Sequence, residues 1–330
     1  MKYKAVLLVK RPETAITADI FNVVTLETPL LKEGDILIKQ THMSLDPAMR
    51  GWMNADRGSY IPPVELGEIM RSSGVGDVVE SLNENFPKGT RVSGMFGWTE
   101  YSVSQGQGLQ PLPKGIEPEA VLCVLALPGV TAYQGLMNIG KPKAGETLLV
   151  SGAAGSVGTI VGQIAKAEGL RVIGSAGSEE KCRWLKDELG FDAAVNYKSN
   201  RLFKDLLKAA PDGIDIFFEN TGGPIQQAAF NLMNAHGRIV VCGVISEYNS
   251  DKPSPGPSWV NIVRKRLRIQ GFTMPDYWDK FPELSNNVAT YLLQGKIKYR
   301  AHVLEGLESA IDGINLLFTG GNMGKLMVKL

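Results

Sequence analysis

Residues 147–158 read TLLVSGAAGSVG, an apolar run that breaks into glycines at positions 152, 155 and 158. The run 147–151 has the length and branching of a buried strand, and residues 157–168 carry apolar side chains at helical period. Glycines at the junction let the chain turn tightly, let backbone amides approach a pyrophosphate, and let the helix pack close to the strand. The helix N-terminus adds partial positive charge. The same rhythm then continues: strand 171–175 (RVIGS), helix 179–189, strand 193–196, strand 215–219 (DIFFE), helix 226–233, strand 238–242 (RIVVC) and a late strand 267–272. This alternation predicts βαβ units and a parallel sheet. Inside such units the glycine turn predicts dinucleotide binding, where an isolated turn would be equally at home as a plain strand–helix connection.

Outward from that core the pattern changes. Residues 1–124 break into short strand-like runs, such as 35–40, 75–79 and 91–96, which predict an irregular, mostly β region. After position 277 come a helix at 281–293, a strand at 301–304, a helix at 307–318 and an alternating run, 324–330 (GKLMVKL), that reads as an edge strand. Residues 252–258 (KPSPGPS) form a Pro-rich loop. No repeat at solenoid period interrupts the chain.

With 330 residues the length suits two domains. Lys plus Arg number 35 and Asp plus Glu 34, so nothing in the charge balance calls for a nucleic acid or a membrane surface. The basic run 264–268 (RKRLR) reads as a solvated approach to a strand. Glycine, 37 residues or about 11% against a usual 7% or so, points to many special backbone positions. The longest uninterrupted apolar run, 120–127, falls short of the roughly 18–20 residues of a membrane span. The stretch 5–9 is shorter than the roughly 7–15 residues of a signal h-region, which predicts a cytoplasmic protein. Three cysteines (Cys123, Cys182, Cys242) and three histidines (His42, His236, His302) lack the spacing of a disulfide framework or a metal site.

Which dinucleotide would bind is decided at the end of the second strand, where a carboxylate holds the ribose 2′-hydroxyl of NAD. Here the stretch 174–178 reads GSAGS, without an acid. Glu179 and Glu180 fall in the first helical turn, where they complement its dipole. Lys181 is the nearest cation, available to a 2′-phosphate or simply solvated.

Eight strings in order resemble the zinc-independent medium-chain dehydrogenase/reductases, in the branch of prostaglandin reductases, leukotriene B4 12-hydroxydehydrogenases, curcumin reductases and plant double-bond reductases. They are Ser44-Leu45-Asp46-Pro47 through Met49-Arg50-Gly51; Pro128-Gly129-Val130-Thr131-Ala132-Tyr133; the glycine turn; Ala176-Gly177-Ser178 with Lys181; Asn196-Tyr197-Lys198; Glu219-Asn220-Thr221-Gly222-Gly223; the run 242–249; and Gly321-Asn322-Met323-Gly324-Lys325. The bacterial NADPH-dependent curcumin reductases are the nearest likeness, through Ser59-Tyr60, Pro62-Pro63-Val64 and the Pro-rich loop.

The resemblance implies an α/β protein: a Rossmann doubly wound parallel sheet over residues 125–295, and a mostly β, GroES-like catalytic domain from residues 1–124 and 296–330. It implies an NADP-dependent oxidoreductase acting on CH–CH groups, which reduces the C=C bond of α,β-unsaturated aldehydes and ketones. By the same resemblance Ala154, Gly155, Ser156 and Val157 would hold the pyrophosphate, and Lys181 and Tyr197 the 2′-phosphate. Asn220, Cys242, Gly243, Val244, Ile245, Ser246, Tyr248, Phe272, Thr273, Met274 and Asn322 would lie along the nicotinamide half. Tyr248 and Tyr60 are the candidate catalytic residues. A phenol, with an ordinary pKa of about 10, is a donor at neutral pH, although either ring could equally anchor its loop.

Zinc-dependent relatives place a Lewis acid on the substrate oxygen. The ligands for it are missing here, and reducing a conjugated C=C bond needs only donors for the enolate charge. The family's tyrosine after Asp-Pro is Ala48, which opens the expected substrate wall. Asp46 and Arg50 read as a structural pair. A small enone or enal as substrate and a homodimer through the Rossmann sheets complete what the resemblance implies. A zinc-independent quinone reductase, a hydroxy-eicosanoid dehydrogenase and a non-catalytic NADPH-binding sensor or structural protein stand as alternatives.

Overall fold

Two compact units make up the chain, Met1–Leu122 with Ala301–Leu330, and Cys123–Arg300, in a computed structural model that describes residues 1–252 and 254–330. The Pro-rich loop read at 252–258 thus lies partly outside the described residues. In the first unit β1 (Lys2–Leu8) pairs antiparallel with β2 (Phe21–Glu27). Five further strands are β3 (Ile36–Ser44), β4 (Ser73–Ser81), β5 (Arg91–Met95), β6 (Tyr101–Ser104) and β7 (Gln110–Pro111). They join antiparallel around β3 and β4.

The second unit holds β8 (Thr147–Val150), β9 (Arg171–Ala176), β10 (Ala193–Asn196), β11 (Ile214–Glu219), β12 (Met233–Val241) and β13 (Arg268–Gly271). All are parallel, in the order β10-β9-β8-β11-β12-β13. Helices α1 (Ser156–Ala167), α2 (Glu179–Asp187), α3 (Leu202–Ala209), α4 (Gly223–Leu232), α5 (Trp259–Lys265) and α6 (Phe281–Leu293) intervene or follow. Phe217 and Phe218 alternate across the central strand β11, yet both are fully buried. Helices on both faces therefore explain why DIFFE is apolar without a period of two. Each ring contributes roughly 1.5–3 kcal/mol relative to an exposed one.

Helix α3 has no counterpart in the strand-and-glycine rhythm read from the sequence. Its signal is Leu202 and Leu206, four residues apart and both buried. A longer helical stretch, Pro118–Gly140, is long and apolar enough by composition to cross a membrane, but 72% of its apolar window is buried inside the protein. Counting uninterrupted apolar residues missed it because Pro128 and Gly129 end the run, and Thr131 and Gln134, both buried, interrupt it again.

The C-terminal segment returns to the first unit as β14 (Ala301–Glu305) and β15 (Lys325–Lys329). Strand β15 is not the expected edge: it lies between β14 and β3. The sequence pattern misleads because Lys325 looks like a solvent-facing residue, whereas its side chain is 2% exposed. Its ammonium donates to the carbonyl oxygen of Leu45 at 2.8 Å and to Asp46 Oδ1 at 2.7 Å. The Ser44 hydroxyl also donates to Asp46. The partner of Asp46 is thus Lys325, while Arg50 donates to the carbonyl oxygen of Thr14 at 3.0 Å and to Asn54. The expected helix at 307–318 is two short helices, Ser309–Gly313 and Leu316–Thr319. Between them the Asn315 amide reaches away to donate to the carbonyl oxygen of Ile16 at 3.0 Å.

Removing one partner of a buried pair leaves the other charge uncompensated, at about 3–5 kcal/mol. Lys325→Met is therefore expected to lower the denaturant midpoint of the first unit sharply. Adding Asp46→Asn should recover part of the loss, and equal midpoints for the single variant and the parent would contradict the assignment.

Candidate active site

A parallel sheet delivers all its strand ends to one edge. Six connections meet at the carboxyl ends of β8 to β13, with the strand order reversing between β8 and β11, the position where open α/β sheets bind ligands. After β8, Gly152 turns the chain at φ +58°, and Gly155 caps α1 with no side chain satisfying the helix amides. A Cβ on Gly158 would stand 2.5 Å from the carbonyl oxygen of Gly152 and 2.7 Å from Cα of Ala153. The helix can reach the turn only because that Cβ is missing. Ala154, Gly155, Ser156 and Val157 line this turn at a helix N-terminus, with the Gly155 amide donating to the Gly152 carbonyl at 3.0 Å, and such a terminus fits a diphosphate.

The end of β9 supplies the next part. Ser178 caps α2 by accepting from the Lys181 amide at 3.2 Å, and Glu179 and Glu180 occupy the first turn. The Glu179 carboxylate accepts from the Asn196 amide at 3.0 Å, which turns it toward the protein. A Cβ on Gly177 would touch the Tyr197 hydroxyl at 3.1 Å, so that phenol stands over the turn. The Lys198 ammonium lies 5.8 Å from the centre of the Tyr197 ring. Burial lowers the Lys181 pKa, and the neighbouring Lys198 lowers it further against the pull of Glu180. Two cations held close enough to repel each other, with no carboxylate on the turn between them, fit a phosphate monoester and do not fit a bare ribose diol.

The ends of β11 and β12 are stitched together. Asn220 donates from its side chain to the Ser151 carbonyl at 2.8 Å, and its backbone amide donates to the Ser151 hydroxyl at 2.8 Å. The Cys242 amide donates to the Glu219 carbonyl at 2.8 Å, with Gly243 at 3.2 Å, Ile245 to Asn220 at 3.3 Å and Ser246 to Thr221 at 2.9 Å. Tyr248 folds back over Gly243, and its hydroxyl accepts from the Val244 amide at 3.4 Å. The loop-anchoring role is thus visible in the geometry. Burial raises the Cys242 thiol well above its ordinary value, which keeps it protonated and a poor nucleophile. Beyond β13, Phe272 and Met274 pack with Val130 and Leu284, and Thr273 donates to Asp276 at 3.2 Å.

Tyr60 and Asn322 belong to the first unit. Tyr60 is 54% exposed, and Asn322 is buried with its amide donating to the Gly324 carbonyl at 2.9 Å. Ala48 packs against the apolar core of that unit. Glu219 is a residue that reading the sequence passed over as part of a turn motif. Its signal was a carboxylate directly after the apolar run Ile216-Phe217-Phe218 at the end of the central strand. The basic run is tied to the protein: Lys265 donates to the Asn231 carbonyl at 2.7 Å, and Arg268 to that of Ile139.

Comparison with known proteins adds a second line of observation. Residues 4–112 match the family described as N-terminal domain of oxidoreductase, and residues 156–290 that described as zinc-binding dehydrogenase. Among the described residues no group of three or more His, Cys, Asp or Glu is placed to hold a metal ion. The chain is 39% identical over 331 residues to NADPH-dependent curcumin reductase of Escherichia coli, covering 98% of this chain and 96% of that protein. It is 41% identical over 316 residues to bovine prostaglandin reductase 1, covering 94% and 93%. The solved structure of CurA from Vibrio vulnificus in complex with NADPH aligns with a TM-score of 0.94 at 40% identity, covering 99% of this chain and 98% of that one.

Gly158→Ala would force backbone apart from backbone. Overpacking of this kind costs about 1–3 kcal/mol, so a lowered melting temperature is expected together with loss of dinucleotide binding. Unchanged binding would show that the turn tolerates a wider gap.

Proposed function

This chain belongs to the zinc-independent medium-chain dehydrogenase/reductase family, and from that premise we propose that it uses NADPH to reduce the C=C bond of α,β-unsaturated aldehydes and ketones. The observation that carries the reading is the end of β9, which has no carboxylate before α2 and has Lys181 and Lys198 close to each other beside it, in a chain alike from end to end to the Vibrio vulnificus protein solved with NADPH. The curcumin and prostaglandin reductases among its relatives support the substrate class.

In this reading Ala154, Gly155, Ser156 and Val157 hold the pyrophosphate, with Lys181 and Tyr197 on the 2′-phosphate. Asn220, the run from Cys242 to Tyr248, Phe272, Thr273, Met274 and Asn322 orient the nicotinamide half. Bound NADPH supplies the hydride that the β carbon of the substrate receives. The negative charge then collects on the carbonyl oxygen of the substrate, where hydrogen-bond donors stabilise it. Tyr248 is the donor best placed for that task, and Tyr60 belongs to the substrate loop. Residues 125–295 act as the cofactor domain, and residues 1–124 with 296–330 as the catalytic domain. Ala48 leaves room for a bulky enone.

The protein works in the cytoplasm as a homodimer. Strand β13 is the open edge of the parallel sheet and is exposed along its length, and α5 beside it exposes Trp259, Val260 and Val263. An open edge beside apolar side chains suits a second copy of the same strand.

NADPH oxidation with a panel of enones, a quinone and a curcuminoid, with NADH in parallel, tests the reading. Saturated ketone or aldehyde products formed with NADPH are expected; faster quinone reduction, or binding without turnover, would overturn it. Lys181→Ala should weaken NADPH binding by about 10–100-fold, the worth of a hydrogen bond to a charged group, and leave NADH binding unchanged. Tyr248→Phe should lower turnover by about 100-fold, as loss of an oxyanion donor does, with NADPH affinity nearly unchanged. Parental turnover in that variant would remove Tyr248 from the mechanism.

A further inference from the structure

Glu219 ends the central strand β11 and is fully buried. Its Oε1 accepts from the Ser151 hydroxyl at 2.5 Å, from the Thr221 amide at 2.7 Å and from the Gly222 amide at 2.9 Å. One oxygen therefore fixes two turns at once: the start of the glycine turn after β8, and the turn bearing Asn220 after β11. The other oxygen, Oε2, is buried without a hydrogen-bond partner. An ionised carboxylate would leave half its charge there with no donor, at far greater cost than a neutral acid in the same place. Among the described residues the titratable side chain that acts with it is Cys242, the residue after β12, itself held protonated by burial, and no cation is among the groups that act on Glu219.

We propose that Glu219 is a positioning residue that works as the neutral acid, clamping the Ser151 and Asn220 turns into the shape that receives the nicotinamide half of the cofactor. This rests on the reading that the chain binds NADPH. Burial raises the Glu219 pKa, outweighing the hydrogen bonds from Ser151, Gly222 and Thr221 that lower it. The proton is thus held more tightly in the clamped protein than in an opened one. Raising the pH above the ordinary carboxylate value of about 4.5 works against the clamp, by up to tenfold per pH unit until the group ionises.

The test titrates NADPH by fluorescence from pH 6 to pH 9 into the parent protein, Glu219→Ala and Glu219→Gln. The 2′-phosphate and Lys181 also titrate, but they do so in all three proteins. Glu219→Ala should bind weakly throughout. Glu219→Gln keeps the Oε1 acceptor and cannot ionise, so it should recover most of the affinity and lose the alkaline decline that the parent shows. An equal decline in Glu219→Gln, no decline in the parent, or failure of Gln to recover what Ala loses would each overturn the proposal. A carbonyl stretch of a protonated carboxylic acid, present in the infrared spectrum of the cofactor-free parent at pH 7 and missing from Glu219→Gln, is the companion readout. It separates the two ideas: no NADPH binding at any pH defeats the cofactor reading, whereas a missing acid band defeats the role given to Glu219.

Discussion

The closeness of α1 to the turn after β8 is the constraint on which the site depends. At Gly158 the position a Cβ would take is 2.5 Å from the Gly152 carbonyl oxygen, so backbone meets backbone with nothing between. That contact brings the uncapped N-terminus of α1 to the sheet edge, between the ends of β8 and β11. Everything else at that edge is arranged around it: the turn after β9 with Lys181 and Lys198 on one side, the Asn220 and Cys242–Tyr248 connections on the other. Gly152 holds its φ of +58° to make the contact possible, a conformation other residues adopt at a cost.

Charge divides the site into two halves. On the β9 and β10 side Lys181 and Lys198 stand close enough to repel each other, while Glu179 accepts from Asn196. On the β11 and β12 side the carboxylate of Glu219 is sealed from solvent and turned into a structural hub. In the proposed reading the phosphate is attracted at the first end and the nicotinamide ring is received at the second. That separation is the electrostatic form one would expect of a site that binds by phosphate and reacts by hydride transfer.

Much of this was legible in the residues. The spacing of glycines 152, 155 and 158, the missing acid after RVIGS and the strand DIFFE located the parallel sheet and its working edge, because periodicity and backbone freedom are local properties. What stayed hidden depends on partners far away in sequence. Lys325 reads as a surface residue until Asp46, 279 positions earlier, is found beneath it, and β15 becomes interior for the same reason. At the break in the last helix the Asn315 side chain donates to a carbonyl at Ile16, 299 positions earlier. Glu219 looked like the start of a turn because nothing in a one-dimensional pattern shows that Ser151 donates to it.

The most direct test of the central claim is the fate of a label. NADPH carrying deuterium at the transferring position of the nicotinamide, turned over with an α,β-unsaturated ketone, should leave its deuterium on the β carbon of a saturated ketone. Deuterium on the carbonyl carbon of an allylic alcohol would contradict it, and would mean that this edge of the sheet serves carbonyl reduction instead.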